Sequence, residues 1–250
     1  MAWVQTSSPS FVARHEERDG EDVVAVLELL EGTRERLGEA FPSLPGPAAV
    51  VLHVSGAQLA LAQPYLPLVR RLTAKAGRRY LTGWLAGAEI HTLSPRLLAR
   101  RAARMTGSRE MVQLSPAALY AGLVVAHNND GLPPPFGPGG FVRWLRWAWL
   151  AAGAAQYFSG QTTYARAEIS RRLREGPAPA FPPSLADATL LGGSIYSLMT
   201  ELTGEPSAVT LACSLPPGGA RQALGRAFEG RPLSEVEDMW RSHLARMAGL

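Results

Sequence analysis

Two stretches decide how this chain is read. Val125-Ala126-His127-Asn128-Asn129-Asp130-Gly131 closes one apolar run, and Trp149-Leu150-Ala151-Ala152-Gly153-Ala154-Ala155-Gln156-Tyr157-Phe158-Ser159-Gly160 forms a second. The first run begins at Ser115-Pro116, a pairing suited to a helix N-cap and first turn, and carries Leu119, Tyr120, Leu123, Val124 and Ala126 down to His127. Phe141 to Phe158 reads as one helix containing Trp144, Trp147 and Trp149, rings that bury large areas and so belong to a core. His127 and Asp130 stand three apart, a spacing at which two helical side chains can face one metal, with Glu168 or Asp187 as further candidates. The structural alternative makes His127, Asn128 and Asp130 a hydrogen-bonding cluster at a helix C-terminus. Asn suits a left-handed residue there, and a protonated histidine meets the helix dipole favourably.

Upstream, Phe11 to Glu16 alternates apolar and polar residues and reads as a strand, with His15-Glu16-Glu17-Arg18-Asp19 at the surface beyond it. Val23, Val26, Leu27, Leu30, Leu37 and Phe41 recur at helical spacing over Glu21 to Phe41, and Pro42, Pro45 and Pro47 end that helix. Ala48 to Val54 is a buried-strand run, in which His53 reads as a core-edge histidine. Gly56 to Leu72 is helix interrupted at Pro64 and Pro67. Tyr80 to Leu85 and Glu89 to Leu93 form an antiparallel hairpin about Ala86-Gly87. Pro95 to Arg104 is a short basic helix, and Gly107 to Glu110 a turn. Leu132 to Gly140 is a proline-rich loop that excludes helix. Thr162 or Thr163 caps a helix to Arg174, Pro177 to Pro183 is a linker, and the remainder is helical to Met247, with Ser234 and Glu237 as a capping box. The fold class is therefore α+β: a lobe at 1–114 with a small mixed sheet and packed helices, then an all-helical lobe at 115–250, together one functional unit.

Composition narrows the function classes. With 250 residues the chain buries a sizeable core, and no run approaches the roughly 18 apolar residues of a membrane span. The single cysteine, Cys213, excludes an internal disulfide and reads as a buried inert thiol. With no signal-like N-terminus, a cytoplasmic location is expected. The chain is arginine-rich, Lys75 being the sole lysine, and its +4 charge comes with arginine clusters at 70/71, 78/79, 96/100/101/104 and 171/172/174. No aromatic interleaving or binding motif accompanies them, so nucleic acid is not the expected partner. Neither a Gly-x-Ser-x-Gly elbow nor a phosphate-binding glycine loop is present.

The order of elements, with Trp149-Leu150…Gly153…Ala155…Tyr157 and the C-terminal phrases Leu191-Gly192-Gly193-Ser194 and Glu235…Trp240-Arg241…Leu244, resembles the gluzincin metallopeptidases of the peptidase MA-like type. In that family a helix carrying H-E-x-x-H supplies two zinc ligands and a general base, and a second helix supplies a third ligand. The resemblance places His127 at the first ligand, Asn128 at the base, Gly131 at the second ligand and Ala152 at the third. An amide takes no proton at neutral pH, and Gly and Ala offer a metal no donor atom. The resemblance thus implies a thermolysin-like architecture without zinc, metal or other cofactor. Its remnant cleft, marked by His127, Asn128, Asp130, Gly131, Trp149, Ala152 and Tyr157, would bind a peptide or protein partner. The alternative is another hydrolytic chemistry in the same cleft, with His127 as base and Tyr157 or Tyr196 as proton donor, which requires His127 to line an open pocket.

Overall fold

The computed structural model describes residues 2–129, 131–132, 137–216 and 218–250. Among them the chain is mixed α+β, 62% helical, with a five-stranded mixed sheet. In chain order the elements are β1 (Trp3–Ser7), β2 (Phe11–Glu16), α1 (Gly20–Ala40), β3 (Ala48–His53), α2 (Gly56–Ala62), α3 (Tyr65–Leu72), α4 (Lys75–Arg78), β4 (Gly83–Ala86) and β5 (Glu89–Leu93). Helices α5 (Pro95–Arg101), α6 (Ser108–Gln113), α7 (Ser115–His127), α8 (Pro138–Arg146) and α9 (Ala148–Phe158) follow. The chain closes with α10 (Arg166–Arg174), α11 (Ala188–Thr203), α12 (Glu205–Ala212), α13 (Gly219–Ala227) and α14 (Leu233–Ala248).

The strands lie in the order β1-β2-β3-β5-β4, with β2, β3 and β5 parallel and the two edge strands antiparallel to their neighbours. Side chains alternate between the two faces of the sheet. Val50, Leu52 and Ile90 face the main core with α1 and α7, where Arg34 of α1 donates to the Tyr120 hydroxyl of α7 at 2.8 Å. Trp84 and Leu93 face the other way, into a smaller cluster with Leu59 of α2, Leu66 and Val69 of α3, Leu98 of α5 and Phe141 of α8. One continuous core cluster runs from Phe11 of the sheet to Ala248 of the last helix.

In the helical half, α9 and α11 cross where Gly153 meets Gly192, and a Cβ on Gly153 would stand 2.5 Å from the Gly192 carbonyl carbon. Trp240 of α14, fully buried, donates its indole N–H to Ser194 Oγ of α11 at 2.8 Å. None of the helices is long and apolar enough to cross a membrane among the described residues.

Several local expectations need correction. His15 and Glu16 are buried at 1% and 2% exposure, because β1, unforeseen, pairs with β2 and Thr6 Oγ1 meets His15 Nε2 at 2.9 Å. Tyr80 to Thr82 is not strand: Thr82 N–H, which would pair with β5, bonds back to Tyr80 O at 3.0 Å, while Leu81 O, on the outward side, accepts from Arg70 Nε and Nη2. Pro67 sits in the first turn of α3, where its missing N–H breaks no bond, so only Pro64 interrupts. Gly107, in the left-handed region at φ 82°, starts helix α6 rather than a turn. Helix resumes at Pro138 inside the expected loop, Pro being suited to a first turn, and breaks at Trp147 instead of running through to Phe158. Pro133 to Phe136 of that loop lie outside the described residues. The expected caps at Ser115, Thr162 or Thr163, and Ser234 make no side-chain cap bond.

The α9–α11 crossing yields a direct test. Gly153→Ala or Gly192→Ala forces a methyl against facing backbone that no rotamer can vacate, so each is expected to destabilise the fold by about 1–3 kcal/mol. A midpoint shift in urea unfolding, with unchanged slope, measures it.

Candidate functional site

Helix α7 stops at His127, and Asn128 caps it. The cap is built from side chains: Asn128 Nδ2 donates to Val124 O at 2.9 Å and to Ser43 O at 2.8 Å, and Ser43 Oγ donates back to Asn128 Oδ1 at 3.1 Å. Asn129 is buried and donates to Ala212 O at 3.3 Å. Gly131 packs where a Cβ would come 3.0 Å from Leu215 Cδ1. Since the chain has left the helix, His127 and Gly131 do not share a helical face as a four-residue ligand spacing requires. His127 is exposed and its ring bonds to no described residue. Asp130 lies outside the described residues.

The other positions singled out are also held by the fold. Trp149 is buried, and the half-buried Tyr157 donates its hydroxyl to Thr200 Oγ1 at 2.8 Å. Tyr196 is fully buried and donates to Leu150 O, its phenol pushed up by burial. Glu168 and Asp187 do not approach His127: Glu168 sits with Arg171 at 2.7 Å and under the Tyr80 hydroxyl, and Asp187 pairs with Arg172 at 2.6 Å. Cys213 is half-buried at the end of α12, its thiol pushed up by burial. Among the described residues no three His, Cys, Asp or Glu side chains converge as metal ligands. Zinc therefore does not fit the residues at the positions where the resemblance would place it.

What the two helices do build is a groove. Ala118, Leu119, Gly122 and Ala126 of α7 and Ala151, Ala152 and Ala155 of α9 form its floor, and the segment from Tyr80 to Leu85 forms a wall. The groove encloses about 870 Å³, the share open to solvent included. Small residues at i, i+4 and i+8 on α7 keep it open, with Gly122 seated between Leu85 and Ala155. Its described lining includes no Asp, Glu, His, Cys, Lys or Arg. The hydroxyls of Thr82, Ser115 and Thr189 on its walls are buried without a hydrogen-bond partner. Gln156 is committed, donating to Leu190 O at 3.0 Å and accepting from Gly193 N at 2.9 Å.

Strand β4, the groove's wall, is an edge of the sheet. Leu93 N–H donates to Thr82 O, so antiparallel alternation turns the backbone of Trp84 and Ala86 toward β5 and that of Gly83 and Leu85 outward. Among the described residues, Ala152 is the one expected site residue that the groove takes in; His127 and Tyr157 lie off it. The wall from Tyr80 to Leu85 was read only as a hairpin strand. The available signal was the stripe Ala118-Gly122-Ala126, small residues on one face of an apolar helix. Comparison with family models, with curated proteins and with solved structures finds no match.

On the opposite sheet face, His53 Nε2 lies 3.0 Å from His91 Nδ1, and His91 Nε2 lies 3.3 Å from Glu89 Oε2. Burial, then His91, pulls His53 down to about 4, and burial lowers His91 against the opposing pull of Glu89. A folded-state value below the unfolded one means that the unfolded chain binds more protons between the two. Stability from this pair is full above the ordinary histidine range, about 6.5, and is lost as pH falls toward 4. His53→Gln is expected to flatten the stability-versus-pH curve between those limits, read by urea unfolding at stepped pH against the parent chain.

Proposed function

We propose that this chain is a catalytically inactive, gluzincin-like pseudo-peptidase whose remnant cleft binds an extended, largely apolar peptide segment of a protein partner. The observation that carries the reading is the uncharged groove between α7, α9 and the edge strand β4. It offers apolar walls for side chains, and the outward backbone of Gly83 and Leu85 can pair with an added strand. Its described lining holds no group that exchanges a proton near neutrality and no metal ligand, which supports binding over turnover. Hydrolysis centred on His127 lacks support, since that ring is exposed and off the groove. The reading places the protein in the cytoplasm, with no membrane or nucleic-acid partner in its groove.

The test pairs metal analysis with peptide binding. Purified protein incubated with excess zinc and then dialysed is expected to retain far less than one zinc per chain and to leave a fluorogenic peptide library uncleaved. Stoichiometric zinc together with cleavage would overturn the proposal. In an apolar peptide array, Ala152→Trp, which fills the groove floor, is expected to weaken the best binders at least tenfold, about 1.4 kcal/mol or more. His127→Ala should leave them unchanged.

A further inference from the structure

Charge is distributed very unevenly along this chain. Residues 40–109 carry nine arginines and one lysine against a single acid, Glu89, a formal +9 where the whole protein is +4. The ten basic groups are not all solvated surface. Arg70 of α3 is half-buried and donates Nε and Nη2 to Leu81 O at 3.0 and 2.7 Å. Arg101, at the end of α5, is half-buried and donates Nε to Arg79 O at 3.3 Å, two residues away on the same segment. Neither has a carboxylate within ion-pair distance among the described residues. Burial and then Arg101 pull Arg70 down to about 10, and burial and then Arg79 lower Arg101, so the three guanidiniums feel one another.

Arg79 completes the group without neutralising it. Its nearest carboxylate oxygen, Glu168 Oε1, is 3.7 Å away, its Nε has no hydrogen-bond acceptor, and Glu168 is held more closely by Arg171 at 2.7 Å. Three arginines held together beside one carboxylate that Arg171 shares leave an excess of between about two and three positive charges. With their Nε atoms turned to backbone carbonyls, the terminal nitrogens of Arg70 and Arg101 retain free N–H groups in the fork geometry that matches oxyanions. Exposed Arg71 on α3, Arg78 on α4, Arg100 on α5 and Arg104 just beyond it add positive charge to the same segments.

We infer that Arg70, Arg79 and Arg101 form a binding site for a dianionic phosphate group, borne by a small molecule or by a phosphorylated side chain. A phosphate monoester, at close to two negative charges near neutrality, meets most of the excess, whereas a carboxylate supplies only one charge. The site is separate from the groove, although both use the Tyr80–Thr82 segment, so either can stand if the other fails.

Inorganic phosphate titrated into the full chain at constant ionic strength, followed by calorimetry, is expected to saturate one site, with acetate binding at least tenfold more weakly. Arg101→Gln should weaken phosphate about tenfold, the worth of a charge-assisted hydrogen bond. Arg101→Lys, which keeps the charge and loses the fork, should fall between, and exposed Arg104→Gln should change it less than twofold. Arg70→Gln, checked for folding by circular dichroism, should match Arg101→Gln. A phosphoserine peptide binding more tightly than free phosphate assigns the group to a protein side chain, and equal binding assigns it to a small molecule. Failure to saturate, acetate binding as well as phosphate, or Arg104→Gln weakening phosphate as much as Arg101→Gln overturns the site.

Discussion

Helix α7 is the element on which the rest depends, because it is packed against both halves of the molecule at once. Tyr120, Ala121 and Val124 go into the core with the sheet and α1, and the opposite side of the helix, at Gly122, meets Ala155 of α9. An apolar helix buried on two sides needs small residues wherever a neighbour comes close, since interiors are packed to crystal density. That constraint explains why Ala118, Gly122 and Ala126 lie on the side that also floors the groove. The cavity follows from filling one face of α7 with β4 and α9 and leaving the stripe between them uncovered.

Periodicity in the sequence made the long elements legible. The helix over α1, the strand at Ala48–His53, β5 and α7 stand where alternation or helical spacing put them, and β4 starts three residues later than expected. What stayed hidden depends on tertiary partners. Strand β1 is short and polar on alternate positions, so only its pairing with β2 marks it, and that pairing buries His15 and Glu16. Expected N-caps failed at Ser115 and Ser234 because the chain enters those helices through Leu114 and Pro232 instead. Of the candidate site, the two helices were legible from their phrases, but the wall from Tyr80 to Leu85 was not. Its first residues leave the ladder where Thr82 N–H bonds back to Tyr80 O, and Arg70 holds Leu81 O beside that turn, a contact across eleven residues that no local pattern encodes.

The same stretch divides two kinds of surface. Tyr80–Thr82 lines a groove with no charged residue in its described lining, and the same segment offers the carbonyls of Arg79 and Leu81 to the guanidiniums of Arg101 and Arg70. Burying cations without counter-ions is unfavourable, and a fold tolerates it where backbone carbonyls or a ligand satisfy the donors. Here carbonyls meet only part of the demand. Glu168, the one buried acid nearby, is shared among Arg171, Arg79 and the Tyr80 hydroxyl, whose proton burial holds on more firmly.

This chain differs from a zinc-binding helix of the H-E-x-x-H kind by more than three side chains. A zinc helix must continue for at least a full turn past its first ligand, so that residues four apart share a face. In this protein Asn128 ends the helix by holding Val124 O and Ser43 together, Asn129 is drawn down to Ala212, and Gly131 sits against Leu215 where a larger side chain would not fit without movement. Restoring Glu at 128 and His at 131 would place ligands on a chain that has already turned away, and the glutamate would lose the amide N–H groups that bind Val124 and Ser43. The helix end is a clasp between α7, the segment after α1 and the end of α12. The groove beside it keeps its open shape because the residues that line it, mostly on the middle of α7 and α9 and on β4, were never part of that end.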